Sequence, residues 1–192
     1  MGKLIAFIQN FATGRAVLGF FIPAMIVYAI MLLYTIPQVQ QYAPGVKLFD
    51  LSPTGYSYVH AIELLGALGV EGRNLYLYQQ LPMDFIYPGL FAVSCCLLLS
   101  WSFMKSLNSN SKMFYLCFVP AVAGLFDYLE NIGIVRMLLS YPNVAESLVS
   151  ITSYLTILKS TFTTTFFVLL LLGVILFLKG KWADNMQNKG VM

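Results

Sequence analysis

Three residues late in the third apolar stretch carry most of the chemistry this chain can do. Asp127, Glu130 and Asn131 stand in the run Phe126-Asp127-Tyr128-Leu129-Glu130-Asn131. Spaced three and four apart, they fall within an arc of about 100° on a helix and form one polar patch. Two neighbouring carboxyls in a dry setting suit general acid–base chemistry: burial and like charge keep a proton on one, while a nearby cation keeps the other ionised. Asp127 and Glu130 are therefore the candidate acid/base pair.

A cation and further polar groups are available at a similar depth. With a rise of about 1.5 Å per residue, Asp127 lies about 21 Å and Glu130 about 26 Å from the start of its apolar stretch at Met113. Lys159, counted back from Leu178, lies about 28 Å across, and Asp84, counted from Met104, about 30 Å. Thr152, Thr156 and Thr163 share the face of Lys159 and add hydroxyls. Arg73 is placed by the sequence near the same level, where its guanidinium would clamp a carboxylate in bidentate geometry. The expected site is Arg73, Asp84, Asp127, Glu130, Asn131 and Lys159, with Tyr76 and Tyr87 at its rim.

His60 and Glu63, three residues apart, are the metal-ligand candidates, with Asp84 or Glu130 to join them. His60 is the single histidine of the chain, so no second imidazole completes a familiar set, and the reading is no metal and no cofactor. No serine or cysteine sits in the strand-turn-helix context of a nucleophile elbow.

The elements that must position these groups are membrane helices. The 192 residues are 59% hydrophobic and 10% charged, against about 25% charged in soluble domains. Four apolar runs, at about 16–36, 83–104, 113–139 and 153–178, each meet the length of about 20 residues needed to cross a bilayer core. The fold class is all-α: an integral-membrane four-helix bundle in a single membrane domain, 1–192, with a long, partly helical extracytoplasmic connection between helices one and two. Within that connection, 37–82, a helix is expected from Pro53 to Leu68, capped by Ser52 or Thr54, and a second from Gly72 to Leu81 after a break at Gly69-Val70-Glu71-Gly72. The two form a cap over the outer face.

Residues 1–15 have the pattern of a short interfacial helix or an extension of span one. Span one is expected to pack through Gly19 and Ala24 and to kink at Pro23. A tight hairpin over Lys105–Lys112 joins spans two and three, and the tail after Lys179 is expected to be disordered.

The net charge of +3 is spread over short flanks, which excludes a nucleic-acid surface. Lys3, Arg15, Lys105, Lys112, Lys179, Lys181 and Lys189 fall on one side of a four-pass arrangement, so the positive-inside rule puts both termini in the cytoplasm and the chain in the inner membrane. The first apolar run is too long for a signal-peptide core and no small-x-small site follows it. Cys95, Cys96 and Cys117 lie inside spans, as packing residues rather than a disulfide framework.

Two functions fit. A charge at the centre of a bilayer costs about 2.5 kcal/mol or more, so intramembrane ionisable groups mark function by default; here that means binding or transforming a membrane lipid or a hydrophobic isoprenoid- or sterol-like molecule. The alternative is a non-enzymatic scaffold or assembly protein whose buried charges form a structural ion-pair network and whose partner is another membrane protein or a second copy of the chain. Whether the protein is an enzyme stays open between them. No inverted repeat of the transporter kind is visible.

The pattern Gly72-Arg73-x-x-Tyr76, Asp84, Tyr87-Pro88, the Phe126–Asn131 run, Tyr141-Pro142 and Lys159 resembles that of an uncharacterised family of small four-span bacterial membrane proteins. The likeness covers residues 65–165 and implies the four-span fold without a reaction. One span, a long connection and three further spans is also an order similar to the sterol-isomerase and sigma-2-receptor superfamily, though no motif of that group aligns. It keeps sterol-like ligands among the expectations.

Overall fold

A computed structural model describes residues 3–105 and 111–189. A short helix, Lys3–Phe11, is followed by four helices long and apolar enough to cross a membrane: Gly14–Gln40, Gly69–Met104, Lys112–Ser140 and a last one that runs Glu146–Lys189. The expected tight hairpin has residues 106–110 outside the described residues. The tail expected to be disordered continues instead as helix to Lys189.

Local chemistry sets the boundaries. Thr13, in extended backbone, accepts from the Ala16 amide at 3.2 Å and so starts the first span as a helix separate from Lys3–Phe11. That span runs as helix through Pro23, and its irregularity is a π turn at Met31–Thr35. Ala24 is fully buried as expected, but a Cβ on Gly19 would meet nothing within 4 Å, so Gly19 is no packing position. In the connection the helix is Tyr58–Ala67, and its cap is Ser57, whose Oγ accepts from the His60 amide at 3.2 Å, rather than Ser52 or Thr54.

The second span departs most from expectation. Gly69, at φ +60°, turns the chain out of the Tyr58–Ala67 helix, and from there one helix continues to Met104, interrupted only by a π turn at Tyr76–Gln80. The helix expected from Gly72 to Leu81 is thus the first part of the span. Its 36 residues rise about 54 Å against a hydrocarbon core of about 30 Å, so this part projects beyond the membrane and forms one wall of the cap. Val39, Leu48, Phe49, Leu64, Leu65, Tyr76, Ile134, Met137 and Val149 close a continuous core there, uniting the connection with the cap ends of all four spans.

Within the bundle the second span packs on the first, third and fourth, and the third packs most closely on the fourth. Glycine makes that closeness possible: a Cβ on Gly133 would lie 2.2 Å from Thr152 Oγ1, and one on Gly124 3.0 Å from the Ala92 Cβ. Among the described residues the first and fourth spans make no extensive contact with each other, so the bundle is open along that side. The three cysteines are buried and free.

Candidate functional site

The third span brings Asp127, Glu130 and Asn131 to the seam between the second and fourth. Gly124 and Gly133 bracket them, and the close helix contacts at those glycines fix the depth and rotation of the polar face between. All three are buried, at 6%, 1% and 0% exposure.

Lys159 closes the seam from the fourth span, its Nζ lying 2.9 Å from Asp127 Oδ1 and 2.9 Å from Glu130 Oε2. The hydroxyl of Thr156, one turn earlier, donates to Glu130 Oε1 at 2.7 Å. Asn131 Nδ2 donates to the backbone carbonyl of Asp84 at 2.8 Å, which ties the second span to the third. Asp84 is 3% exposed, and its carboxyl feels the charges of Lys159 and Asp127.

The cap supplies a fourth carboxyl that sequence reasoning did not find. Asp50 sits in the short turn Phe49–Leu51. Phe49 is fully buried, against the rings of Tyr56 and Tyr76, and this anchor holds Asp50 over the cluster. There the Tyr76 hydroxyl donates to Asp50 Oδ2, and the Asp84 carboxyl feels the Asp50 charge. Nothing local distinguishes Asp50 from a surface acid, apart from its position beside an aromatic in an apolar stretch. Tyr56 is likewise new: its amide donates to Ser153 Oγ at 2.8 Å, and its buried hydroxyl has no hydrogen-bond partner among the described residues. Burial, and then the Glu130 charge, push its phenol well above the ordinary tyrosine range.

Other expected members lie elsewhere. Arg73 does not reach the carboxylates; its Nη1 donates to the Leu65 carbonyl at 2.8 Å and its guanidinium lies 4.5 Å over the Tyr141 ring. It satisfies a carbonyl near the end of the Tyr58–Ala67 helix and pins that helix to the second span. His60 Nε2 donates to the Lys47 carbonyl at 2.9 Å and Glu63 is exposed. Among the described residues no group of three His, Cys, Asp or Glu side chains is placed to hold a metal.

Tyr87 faces a different feature. Between the first, second and fourth spans lies a groove of ≈ 480 Å³, lined by Met25 and Tyr28, by Tyr87, Phe91 and Cys95, and by Thr163, Phe166 and Leu170. It occupies the side on which the first and fourth spans stay apart. Its walls are apolar except at the hydroxyls of Tyr28, Tyr87 and Thr163. Tyr87 is one turn from Asp84 and feels the charges of Asp127 and Lys159; Thr163 is one turn from Lys159. Lys159, 25% exposed against 8% and 1% for its two carboxylates, is the accessible edge of the cluster. Another apolar groove, ≈ 330 Å³ beneath the N-terminal helix, is lined by none of the cluster's residues.

Tyr34, Tyr78 and Tyr154 lie exposed toward the cap end. Asp84 and Lys159 lie six and five residues further along their helices from Tyr78 and Tyr154, about 9 and 8 Å deeper. Asp84, Asp127, Glu130 and Lys159 thus form a polar layer on the bundle side of the cap core. No family model, curated protein or solved structure matches the chain, so the likeness read from the Gly72–Asn131 pattern reduces to the four-span architecture.

Proposed function

We propose that the protein binds a lipid-phase amphiphile, its apolar body in the groove between the first, second and fourth spans and its polar end at Tyr87, Thr163 and the Lys159 edge of the buried cluster. The observation that carries this reading is the groove itself. Its ≈ 480 Å³ falls in the range of about 300–1,000 Å³ typical of small-molecule sites, and it opens sideways, where a lipid-soluble molecule arrives. Tyr87, with the Tyr28 ring 5.5 Å from its own, and Thr163 lie at the end where the charges are. An ammonium held by two carboxylates keeps a third N–H, which suits a hydroxyl or carbonyl oxygen on the ligand. Asp127 and Glu130, held by that same ammonium, are the groups for any proton transfer to the bound molecule. The basic residues Lys3, Arg15, Lys105, Lys112 and Lys179 at the opposite end of the bundle support an inner-membrane placement with both termini cytoplasmic.

The scaffold reading has its own support in the pairing of both carboxylates by one lysine. Native mass spectrometry of the gently extracted protein, with fragmentation of whatever co-purifies, separates the two. The expected result is one lipid class retained by wild type and lost from folded Thr163→Phe, which fills the groove without touching the ion pairs. Retention of the same lipid by Thr163→Phe, or none by wild type, refutes the groove as a binding site and leaves the cluster as an ion-pair network holding the helices.

A further inference from the structure

The π turns of the first and second spans stand side by side. Met31–Thr35 and Tyr76–Gln80 are joined by the buried hydrogen bond that Thr35 Oγ1 donates to Gln80 Oε1. A π turn carries one residue more than an α turn, so it rotates the helix beyond it by about 100° and changes which side chains face the neighbour. Such turns are rare and occur frequently at functional sites.

Between these two helix ends lies a groove of ≈ 210 Å³ that shares no lining residue with the groove between the first, second and fourth spans. Tyr34, Gln38, Gln41 and Tyr42 form one wall, at a spacing that puts them on one face, and Leu75 and Gln79 form the other. Both walls are fixed by their surroundings. Gln40 Nε2 donates to the carbonyls of Ala43 and Val46 at 2.6 and 2.8 Å and holds the turn that leaves the first span. A Cβ on Gly72 would lie 2.7 Å from the Tyr42 Cβ, so the backbone of the second span sets Tyr42 in place. Gln38 is half-buried, and its buried Oε1 has no hydrogen-bond partner among the described residues.

None of the six lining residues is charged, so a phosphate, carboxylate or ammonium finds no counter-charge there. The groove offers three amides, each with an acceptor oxygen and two N–H donors, and two phenol rings with an apolar face and a hydroxyl. A sugar ring is the complement of such a lining. Its adjacent hydroxyls each donate and accept, which an amide meets with both of its ends, and its C–H face packs on an aromatic ring. The volume is below the about 300–1,000 Å³ of drug-sized sites and suits one ring rather than a chain.

We propose that this groove binds a neutral sugar ring, with Gln38 Oε1 accepting from one ring hydroxyl, Gln41 and Gln79 pairing with others, and the exposed rings of Tyr34 and Tyr42 beside it. Exposed Leu32 and Leu33 continue the first span on the bundle side of Tyr34. A ring on a glycolipid headgroup therefore reaches the groove with its chains in the bilayer, and a free saccharide reaches it from water. The inference rests on this groove alone and holds whether or not the other groove takes a ligand.

The test has two arms, both on the full chain in phosphatidylcholine nanodiscs. Saturation-transfer nuclear magnetic resonance, titrated with methyl glucoside and methyl galactoside, reads binding of a free sugar. Native mass spectrometry of discs doped with monoglucosyl- or monogalactosyl-diacylglycerol, against diacylglycerol as the control without a headgroup, reads glycolipid retention. Wild type is expected to bind in at least one arm: retention of glycolipid over diacylglycerol names a lipid headgroup, and glycoside binding without it names a free sugar. Gln79→Leu, at an exposed position, and Gln38→Leu should each weaken that binding about fivefold to tenfold, the scale of one net hydrogen bond. Asn74→Leu, which removes an exposed amide outside the groove, should leave it unchanged. No sugar bound by wild type in either arm, wild-type binding by folded Gln79→Leu, or equal weakening by Asn74→Leu overturns the proposal.

Discussion

Replacing Lys159 by methionine is the sharpest perturbation of the cluster, because it removes one charge and strands two. The Nζ sits 2.9 Å from each of two carboxylates whose side chains are 8% and 1% exposed. Removing one partner of a buried pair costs about 3–5 kcal/mol, since the remaining charge keeps its desolvation penalty and loses its compensation. Here two charges remain, softened by the Thr156 hydroxyl that still donates to Glu130, so the cost expected for Lys159→Met is about 4 kcal/mol. Neutralising the site as a whole removes the penalty: Lys159→Met with Asp127→Asn and Glu130→Gln should return to within about 1.5 kcal/mol of wild type. Reversible unfolding in mixed micelles, with increasing denaturing detergent and near-ultraviolet circular dichroism as the signal, measures both. A Lys159→Met loss below about 1 kcal/mol, the level of an exposed pair, refutes the buried triad. A triple variant no more stable than Lys159→Met refutes the charge argument and points to packing of the lysine stem. A folded triple variant that still retains the groove's lipid confines the cluster to a structural role.

Gly133→Ala places a methyl 2.2 Å from Thr152 Oγ1 and should cost about 1–3 kcal/mol by overpacking the contact of the third and fourth spans; shortening the neighbour with Thr152→Ser in the same chain should recover part of the loss in the same unfolding assay. Arg73→Lys keeps the charge but loses the planar stack on Tyr141 and the fork that reaches Leu65. It is expected to speed limited proteolysis of residues 41–68 while leaving lipid retention unchanged, and a loss of lipid with an unaltered cap would place Arg73 in the site after all. Tyr56 has a folded-state pKa above its unfolded value near 10, so the unfolded chain loses that proton first. The stability this phenol contributes is complete below about pH 10 and declines as pH rises above it. Tyr56→Phe should therefore show a shallower alkaline loss of stability than wild type, and equal slopes would contradict the buried phenol.

The four spans, the buried acids and Lys159 were legible from the sequence because the bilayer reduces the problem to length and polarity: about 20 apolar residues make a crossing, and a charge within one must find a partner. Counting rises placed Asp84, Asp127, Glu130 and Lys159 at one depth, and Lys159 does bridge the last two. Arg73, set near that level only by its place in the connection, turns its guanidinium to Leu65 and Tyr141 instead, because level says nothing of rotation. The start of the second span was invisible for a related reason. Hydropathy ends at Met83, whereas the backbone continues helical to Gly69 through the π turn, because the cap core buries Leu64, Leu68 and Tyr76 from a side the chain alone does not reveal. Asp50 and Tyr56 entered the site through contacts 26 and 97 residues distant in sequence, which only the packed cap creates. The chain alone determined which residues had to be hidden from lipid, since that is a property of each residue and its neighbours along a helix. Tertiary structure decided which of them meet, because meeting depends on helix rotation and on the few glycines that let the backbones close.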